Sequence, residues 1–163
     1  MHIAESPTQY KTFGKQRSLR LPGFDYRQSK IYHLTWGTHR RRRILTAPLA
    51  DALVARLKED AACAGIAVFA YCFMPDHAHL LVRPEVNSDV VRFVQRFKSK
   101  TTRTYWNAGG IGRLWQRGFY DHILRKEEDV EQVARYILAN PVRAGLADDV
   151  TQYPYCGSLV NPL

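Results

Sequence analysis

Two apolar runs joined by a short turn constrain the fold of this chain more than any other feature. Residues 66–73 read IAVFAYCF and residues 77–82 read HAHLLV, with Met-Pro-Asp between them. Apolar runs of this length that are bounded by turn residues are typical of buried strands. Because the connection is too short for a crossover, the two strands are predicted to form an antiparallel hairpin.

The second of these strands begins with two histidines, His77 and His79. Residues two positions apart on a strand project from the same face, so the two imidazoles are predicted to stand side by side, with Ala78 and Leu80 packed the other way. Neutral imidazole is the commonest protein ligand for metals. The pair therefore predicts a metal site, although two partly solvated histidines on a polar sheet face would have the same spacing.

The remaining apolar patterns predict the element order β-α-β-β-α-β-α. Besides the hairpin, the predicted elements are a strand over 30–37, a helix over 48–64, a helix over 88–107, a strand over 118–124 and a helix over 127–138. This order is typical of the ferredoxin-like plan. The sequence thus predicts an α+β fold, with an antiparallel sheet and helices packed on one face.

The positive charge of the chain is concentrated near its beginning. The net charge is +9, and residues 1–44 contribute +8 of it, whereas residues 45–163 contribute only +1. An anionic partner is the first expectation for such a chain. The sequence predicts a basic, largely irregular arm over 1–29, a domain over 30–146 and a C-terminal tail over 147–163 whose order it leaves open.

Two groups of basic residues are candidate phosphate contacts. The first follows the first strand and comprises Arg40, Arg41, Arg42 and Arg43. The second is a stripe on one side of the second long helix, which contains no Glu, and comprises Arg92, Arg96, Lys100 and Arg103. Positive charges that lie next to one another on a helix repel, whereas a mixture of positive and negative side chains would form stabilising pairs. A row of positive charges alone therefore predicts phosphates opposite it.

Aromatic and polar residues near the fourth strand are further candidates for contact with a nucleic acid. Trp36, Trp115, Phe119 and Tyr120 could stack on unpaired bases, although more aromatics of this kind lie in protein cores. Asp121 and His122 are candidates for contacts to a nucleic acid or to the metal ligands, and an ordinary polar strand end is an equal alternative.

The three cysteines, Cys63, Cys72 and Cys156, form no CxxC pair and no even count. They are predicted to be reduced, mostly buried thiols of a cytoplasmic protein. The chain has no apolar run that approaches the length of about 20 residues needed to cross a bilayer. Its N-terminal residues lack the apolar centre of a secretory signal.

The last predicted helix carries a second chemical candidate. Tyr136 and Asn140 are four residues apart, which places them on one helical face. A phenol nucleophile one turn from an amide oxygen that can join a metal site is one interpretation. The alternative is a tyrosine at the margin of the core and an asparagine that ends the helix before Pro141.

Three segments together resemble a known family of enzymes. They are residues 74–82, 114–122 and 136–146, which occur in order and with suitable spacing. The chain resembles the single-tyrosine DNA transposases of the HUH superfamily, named for the His-hydrophobic-His motif, and within them the REP-associated tyrosine transposases of bacterial chromosomes. The three segments together are highly specific, and the resemblance covers roughly residues 28–158.

The resemblance implies roles for individual residues. His77 and His79 would hold a divalent metal, Mg²⁺ or Mn²⁺, and Tyr136 would be the nucleophile. Asn140 stands where related transposases carry a Gln that helps to complete the metal site, and its side chain is one methylene shorter. Tyr120 is the competing candidate nucleophile.

The resemblance also implies a reaction and a setting. The protein would cut single-stranded DNA beside palindromic hairpins of the REP type, forming a 5′-phosphotyrosine and freeing a 3′-hydroxyl. It would act as a monomer or a homodimer in the bacterial cytoplasm, at the nucleoid.

Two further functions remain open at the level of sequence. One is a module on the same fold that binds DNA or RNA hairpins without catalysis. The other is a zinc-dependent hydrolase that uses the histidine pair, which is disfavoured because no carboxylate stands at helical spacing to the pair, as in a His-Glu-x-x-His site.

Overall fold

The chain alternates strands and helices in the predicted order. The computed structural model describes residues 24–125 and 128–160, so most of the predicted N-terminal arm lies outside the described residues. The elements are β1 (Tyr32–Gly37), α1 (Leu49–Ala64), β2 (Ile66–Met74), β3 (His77–Pro84), α2 (Val90–Asn107), β4 (Tyr120–Ile123), α3 (Val130–Leu138), α4 (Asn140–Arg143) and β5 (Cys156–Gly157). None of the helices within the described ranges is both long enough and apolar enough to cross a membrane.

The five strands form one antiparallel sheet in the order β4-β1-β3-β2-β5. The predicted hairpin of β2 and β3 is confirmed, with Met74 paired to His77 across the turn. Strand β3 is central, and its His79 is opposite Thr35 of β1 on one side and Cys72 of β2 on the other. The predicted α+β class with an antiparallel sheet is confirmed.

Helices cover both faces of the sheet. The two long helices, α1 and α2, pack on one face over a core that includes Trp36, Phe73 and Leu80. Helix α3 packs on the opposite face, where Ile137 and Leu138 contact a second cluster formed by β2 and β3. The expectation that all helices share one face is therefore wrong for α3. The physical reason is the composition of β2, whose apolar residues are continuous instead of alternating, as in strands buried on both faces.

The segments that flank the predicted domain pack against it where the structure describes them. Before β1, Tyr26 is buried, with its ring 5.8 Å from the ring of Tyr32. After α4, the Tyr153 hydroxyl donates to the carbonyl of Phe73 at 2.8 Å, and β5 adds a fifth strand beside β2. Residues 147–160 are thus an ordered part of the fold, a point that the sequence left open.

The cysteines differ from their prediction. Cys72 and Cys156 form a disulfide that links β2 to β5, and Cys63 is exposed. The prediction of reduced thiols is therefore wrong for Cys72 and Cys156, whereas Cys63 is a free thiol as predicted but is not buried. The two bonded residues are 84 positions apart and become neighbours only through the pairing of β2 with β5, with their Cα atoms 4.2 Å apart.

Candidate active site

The two histidines of β3 stand side by side on the face of the sheet that α3 covers. Along β3, Ala78 and Leu80 belong to the core under α1 and α2, so the alternating residues His77 and His79 point the other way. Their ring centroids are 4.9 Å apart, with the rings nearly perpendicular. The spacing in the sequence predicted this arrangement correctly.

His77 is oriented by the residue before it. The Nδ1 atom of His77 lies 2.6 Å from Oδ1 of Asp76, whose other oxygen is 3.4 Å from the guanidinium of Arg41. Burial lowers the pKa of His77; hydrogen bonding to Asp76 opposes this shift and the charge of Arg41 adds to it. The carboxylate therefore holds Nδ1 in place and directs Nε2 away from the turn.

His79 is oriented by two side chains of β1. Its Nδ1 atom lies 3.1 Å from Nε2 of His33 and 3.2 Å from Oγ1 of Thr35. Burial above all, and then the neighbouring positive groups, hold the pKa of His79 well below its ordinary value. Burial, and then the charge of His122, lowers the pKa of His33 to about 4. These imidazoles are therefore neutral at pH 7, the form in which imidazole binds metals.

The same face continues onto β4. Tyr120 is paired with Thr35 and His122 with His33, so both side chains project on the side of the histidine pair. Nε2 of His122 lies 2.9 Å from the carboxylate of Glu128, and Tyr120 is 40% exposed. A band of polar side chains therefore crosses β4, β1 and β3, and Tyr120 borders the candidate site.

Helix α3 brings Tyr136 to this face. The helix begins at Asp129, whose side chain accepts a hydrogen bond from the backbone N–H of Glu131, a typical N-cap. Ile137 and Leu138 anchor it to the sheet, and burial of two such side chains stabilises the fold by about 1.5–3 kcal/mol each. Tyr136 is 37% exposed, on the side of the sheet that carries the two histidines.

Asn140 lies just beyond the end of α3. That helix ends at Leu138, and Asn140 begins the short helix α4, so the residue and Tyr136 belong to two successive helices. The amide nitrogen of Asn140 donates to the carbonyl of Ile137 at 3.2 Å, and its amide oxygen accepts from Arg143 at 3.0 Å. The resemblance assigns the amide oxygen of Asn140 to a metal. In the structure this oxygen is hydrogen-bonded to the guanidinium of Arg143.

The four consecutive arginines separate into two kinds. Arg41 pairs with Asp76, and Arg42 donates to the carbonyl of Arg113 at 2.6 Å, so both help to fix the segment that follows β1. Arg40 and Arg43 are exposed. This segment joins the turn between β2 and β3, because the N–H of Thr38 donates to the carbonyl of Asp76. The arginines therefore lie at the end of the sheet where His77 is placed.

The basic stripe of α2 lies on the other face of the sheet from the histidine pair. Its members Arg92, Arg96 and Arg103 are exposed. Lys100 instead forms an ion pair with the buried Asp60 of α1 at 2.8 Å. The structure thus does not bring this stripe together with the candidate site, and it gives Lys100 a role in joining two helices.

Three of the aromatic candidates for base stacking are core residues. Trp36, Trp115 and Phe119 are buried, and the Trp115 indole N–H donates to Oγ1 of Thr101 at 2.9 Å. The ring of Trp115 is thus packed in the core, and its contact with DNA stays a prediction. The backbone of Trp115 pairs with Thr38 in an isolated antiparallel β-bridge. This pairing places the Trp115 ring in the core beside the ring of Trp36.

Several residues of the site were missed by reasoning from sequence. His33 and Thr35 alternate along a predicted strand, which was a signal that they share a face, but their pairing with β3 was not visible. Asp76 directly precedes His77. Arg143 follows Tyr136 by seven residues, or two helical turns, and that spacing could have indicated a common face.

Comparisons with known proteins agree with this geometry. A family model described as "Transposase IS200 like" matches residues 27–140, which contain β1 to β4 and α3. The chain belongs to the IS200-like transposase family.

Relatives within this family carry the expected description. A REP-associated tyrosine transposase of Escherichia coli is 27% identical over 140 residues, a match that covers 80% of each chain. A protein of Haemophilus influenzae is 31% identical over 101 residues, covering 53% of this chain and 55% of that protein, so the chain spans just over half of that relative. The resemblance read from the sequence is confirmed.

A solved structure shares the fold. It is described as a REP-associated tyrosine transposase bound to a REP hairpin, and it superposes with a TM-score of 0.66 at 21% identity, covering 88% of this chain and 81% of that chain.

Proposed function

We propose that this protein cuts and rejoins single-stranded DNA beside palindromic hairpins of the REP type, with Tyr136 as the nucleophile. The observation that carries the proposal is the placement of α3 on the same face of the sheet as His77 and His79. A hairpin partner is also consistent with the positive charge of the chain and with the REP hairpin bound by the structural relative.

A divalent ion, Mg²⁺ or Mn²⁺, fits the residues of this face. Both imidazoles are held at Nδ1, so Nε2 of His77 and of His79 would face the ion. In the part of the chain that the structure describes, no group of three or more His, Cys, Asp and Glu side chains could hold an ion, so Asn140 and oxygens of DNA or water would complete the set. This mixture of nitrogen and oxygen donors suits Mn²⁺ and, through its oxygens, Mg²⁺. When bound, the ion would polarise the scissile phosphate.

The residues of the chain would position the reaction. The Tyr136 hydroxyl would attack the phosphorus and form a bond to it, the bond from phosphorus to O3′ would break, and the departing O3′ would take a proton from water while the phenol proton passes to water. The resulting phosphotyrosine keeps the energy of the broken phosphodiester, so rejoining would need no ATP. A single nucleophile implies one strand handled at a time.

DNA would be held by exposed residues near this face. Arg40 and Arg43 can reach a phosphate backbone at the His77 end of the sheet, and Tyr120 and His122 border the site on β4. The exposed arginines of the α2 stripe would contact DNA that passes to the other face of the sheet. Phosphate contacts of this kind provide affinity without reading sequence.

The two other functions are less well supported. A hairpin-binding module without catalysis would have no use for an imidazole pair with both Nδ1 atoms held, next to a helix that carries an exposed tyrosine. A zinc-dependent hydrolase would turn over a small substrate and be indifferent to Tyr136.

The test is the covalent adduct. The protein is incubated with Mg²⁺ or Mn²⁺ and single-stranded DNA that carries the palindrome beside its own gene, and the products are separated on a denaturing gel. We expect a protein–DNA adduct that is absent in Tyr136→Phe and in His77→Ala. The matched variant Tyr120→Phe should keep the adduct, because it retains the proposed nucleophile. An adduct lost only in Tyr120→Phe would assign the chemistry to the other tyrosine, and hairpin binding without any adduct would favour the module without catalysis.

A further inference from the structure

We infer that Arg143 is a further catalytic residue, which binds a non-bridging oxygen of the scissile phosphate beside the Tyr136 hydroxyl. This inference rests on the proposed function. Its basis is the position of one guanidinium group, which contacts two groups that the reaction would use.

The contacts of Arg143 define that position. Its guanidinium carbon lies 4.0 Å from the centre of the Tyr136 ring, and Nη2 donates to the amide oxygen of Asn140 at 3.0 Å. Arg143 thus connects the proposed nucleophile, on α3, with one of the proposed metal ligands, Asn140 of α4.

The chemistry of the group suits a phosphate at this point. A guanidinium is planar and carries five N–H donors, and it matches two oxygens of a phosphate at once. In Arg143 the guanidinium lies over the Tyr136 ring, and the hydrogen bond to Asn140 uses one of its N–H groups. The side chain is exposed, so a DNA phosphate can approach the remaining donors.

The role of the group follows from the charge that develops during transfer. As the Tyr136 oxygen bonds to phosphorus and the bond to O3′ breaks, negative charge grows on the non-bridging oxygens, and the electron pair of the broken bond leaves on O3′. A fixed cation hydrogen-bonded to one of these oxygens stabilises that state more than the ground state. Its stacking on the phenol ring also limits the directions from which the hydroxyl can approach phosphorus.

An arginine on the preceding helix, α3, provides a matched control. Arg135 directly precedes Tyr136, has an exposed side chain and forms an ion pair with Glu131 one turn away. An exposed pair of that kind contributes little to stability. Replacing Arg135 therefore removes the same charge from the neighbouring helix α3, without touching the groups that surround Arg143.

The experiment measures the first-order rate of adduct formation with saturating hairpin DNA and Mn²⁺, for Arg143→Ala, Arg143→Lys and Arg135→Ala. We expect Arg143→Ala to lower the rate by about 10²–10³-fold, as removal of one donor to a developing oxyanion does. Lysine should restore part of the rate, since it keeps the charge but not the planar donors. Arg135→Ala should react at the wild-type rate.

Chemical rescue separates catalysis from a structural role. Guanidinium ion added at millimolar concentration should raise the rate of Arg143→Ala several-fold and leave that of wild type unchanged, whereas a misfolded variant would not respond. A rate for Arg143→Ala within threefold of wild type, or a slow variant that guanidinium does not accelerate, would overturn the inference. If wild-type protein forms no adduct, the proposed function itself fails, and that outcome is distinct from an adduct that forms equally well without Arg143.

Discussion

At the scale of the residue, the candidate site is defined by what holds each imidazole. Nδ1 of His77 is hydrogen-bonded to the carboxylate of Asp76. Nδ1 of His79 is within hydrogen-bonding distance of the neutral imidazole of His33 and the hydroxyl of Thr35. Groups of this kind, which orient a metal-binding histidine, raise the affinity of a site because they fix the ring and its tautomer before the ion arrives. The two rings of the pair are therefore held by chemically different partners.

Asp76 provides a direct test of that orientation. We expect Asp76→Asn to weaken Mn²⁺ binding about 10-fold or more, because an amide holds the His77 ring without supporting it electrostatically. The measurement is isothermal titration calorimetry of Mn²⁺ in the absence of DNA. Asp51→Asn, at an exposed position of α1 on the other face of the sheet, is the control and should bind like wild type. Equal affinities for both variants would show that Asp76 does not support a metal ligand.

The residue scale also shows where prediction from sequence stopped. The shared face of His77 and His79 follows from the two-residue period of a strand, so it could be predicted without any tertiary structure. His33 could not be joined to His79 in the same way, because the pairing of β1 with β3 sets that contact. Arg143 was missed because a residue beyond a proline was taken to lie past the last helix, although the chain continues there as α4.

At the scale of the element, the fold depends on a first strand, β1, that is buried along its whole length. Every residue of β1 is buried, and its first residue, Tyr32, has a hydroxyl that donates to the carbonyl of Gln28 at 3.0 Å. Strand β1 carries His33 and Thr35, so its entry into the sheet also positions the partners of His79. Burial raises the pKa of Tyr32 to about 12.

Stability should consequently fall at high pH. In the unfolded chain a tyrosine loses its proton near pH 10, whereas folded Tyr32 keeps it until about pH 12. Between these values the unfolded state binds fewer protons than the folded state, so the free energy of unfolding falls as pH rises, by about 2–3 kcal/mol in all.

Tyr32→Phe isolates this contribution. The variant should be less stable by about 1 kcal/mol at pH 7, because it lacks the hydrogen bond to Gln28, and should lose less stability than wild type above pH 10. The measurement is urea unfolding of both proteins from pH 7 to 11.5. Parallel pH curves for the two proteins would contradict the prediction.

The elements themselves were largely predictable, and their arrangement was less so. Each strand and helix expected from the apolar pattern is present within a few residues of its predicted bounds. The position of α3 on the second face was not expected, because the element order alone does not choose a face. The short strand β5 was also missed, since two residues carry no periodicity and the strand exists only through its pairing with β2.

At the scale of the whole molecule, charge and chemistry occupy different places. The histidine pair and Tyr136 lie on one face of the sheet, the exposed arginines of α2 lie on the other, and Arg40 and Arg43 lie at the end where β1 finishes. The uneven charge along the sequence indicated an anionic partner. It could not indicate that the basic groups surround the sheet instead of forming one patch.

The contribution of the exposed arginines can be read from the salt dependence of hairpin binding. Each phosphate neutralised by a basic side chain contributes about 0.9 to the slope of log K against log salt. We expect the double variant Arg40→Ser/Arg43→Ser to reduce that slope by about 2 in fluorescence anisotropy titrations with a labelled hairpin. Lys58→Ser, at an exposed position of α1, should leave the slope unchanged. A wild-type slope in the double variant would show that these arginines do not contact phosphate.

The division of the sheet into two faces has a consequence for how such proteins can diverge. Helix α2 and the histidine pair lie on opposite faces of the sheet. If the proposed function holds, substitutions along the outer side of this helix would change which hairpins are bound without altering the residues proposed to cut DNA. Members of the family would then diverge in their targets while keeping one reaction.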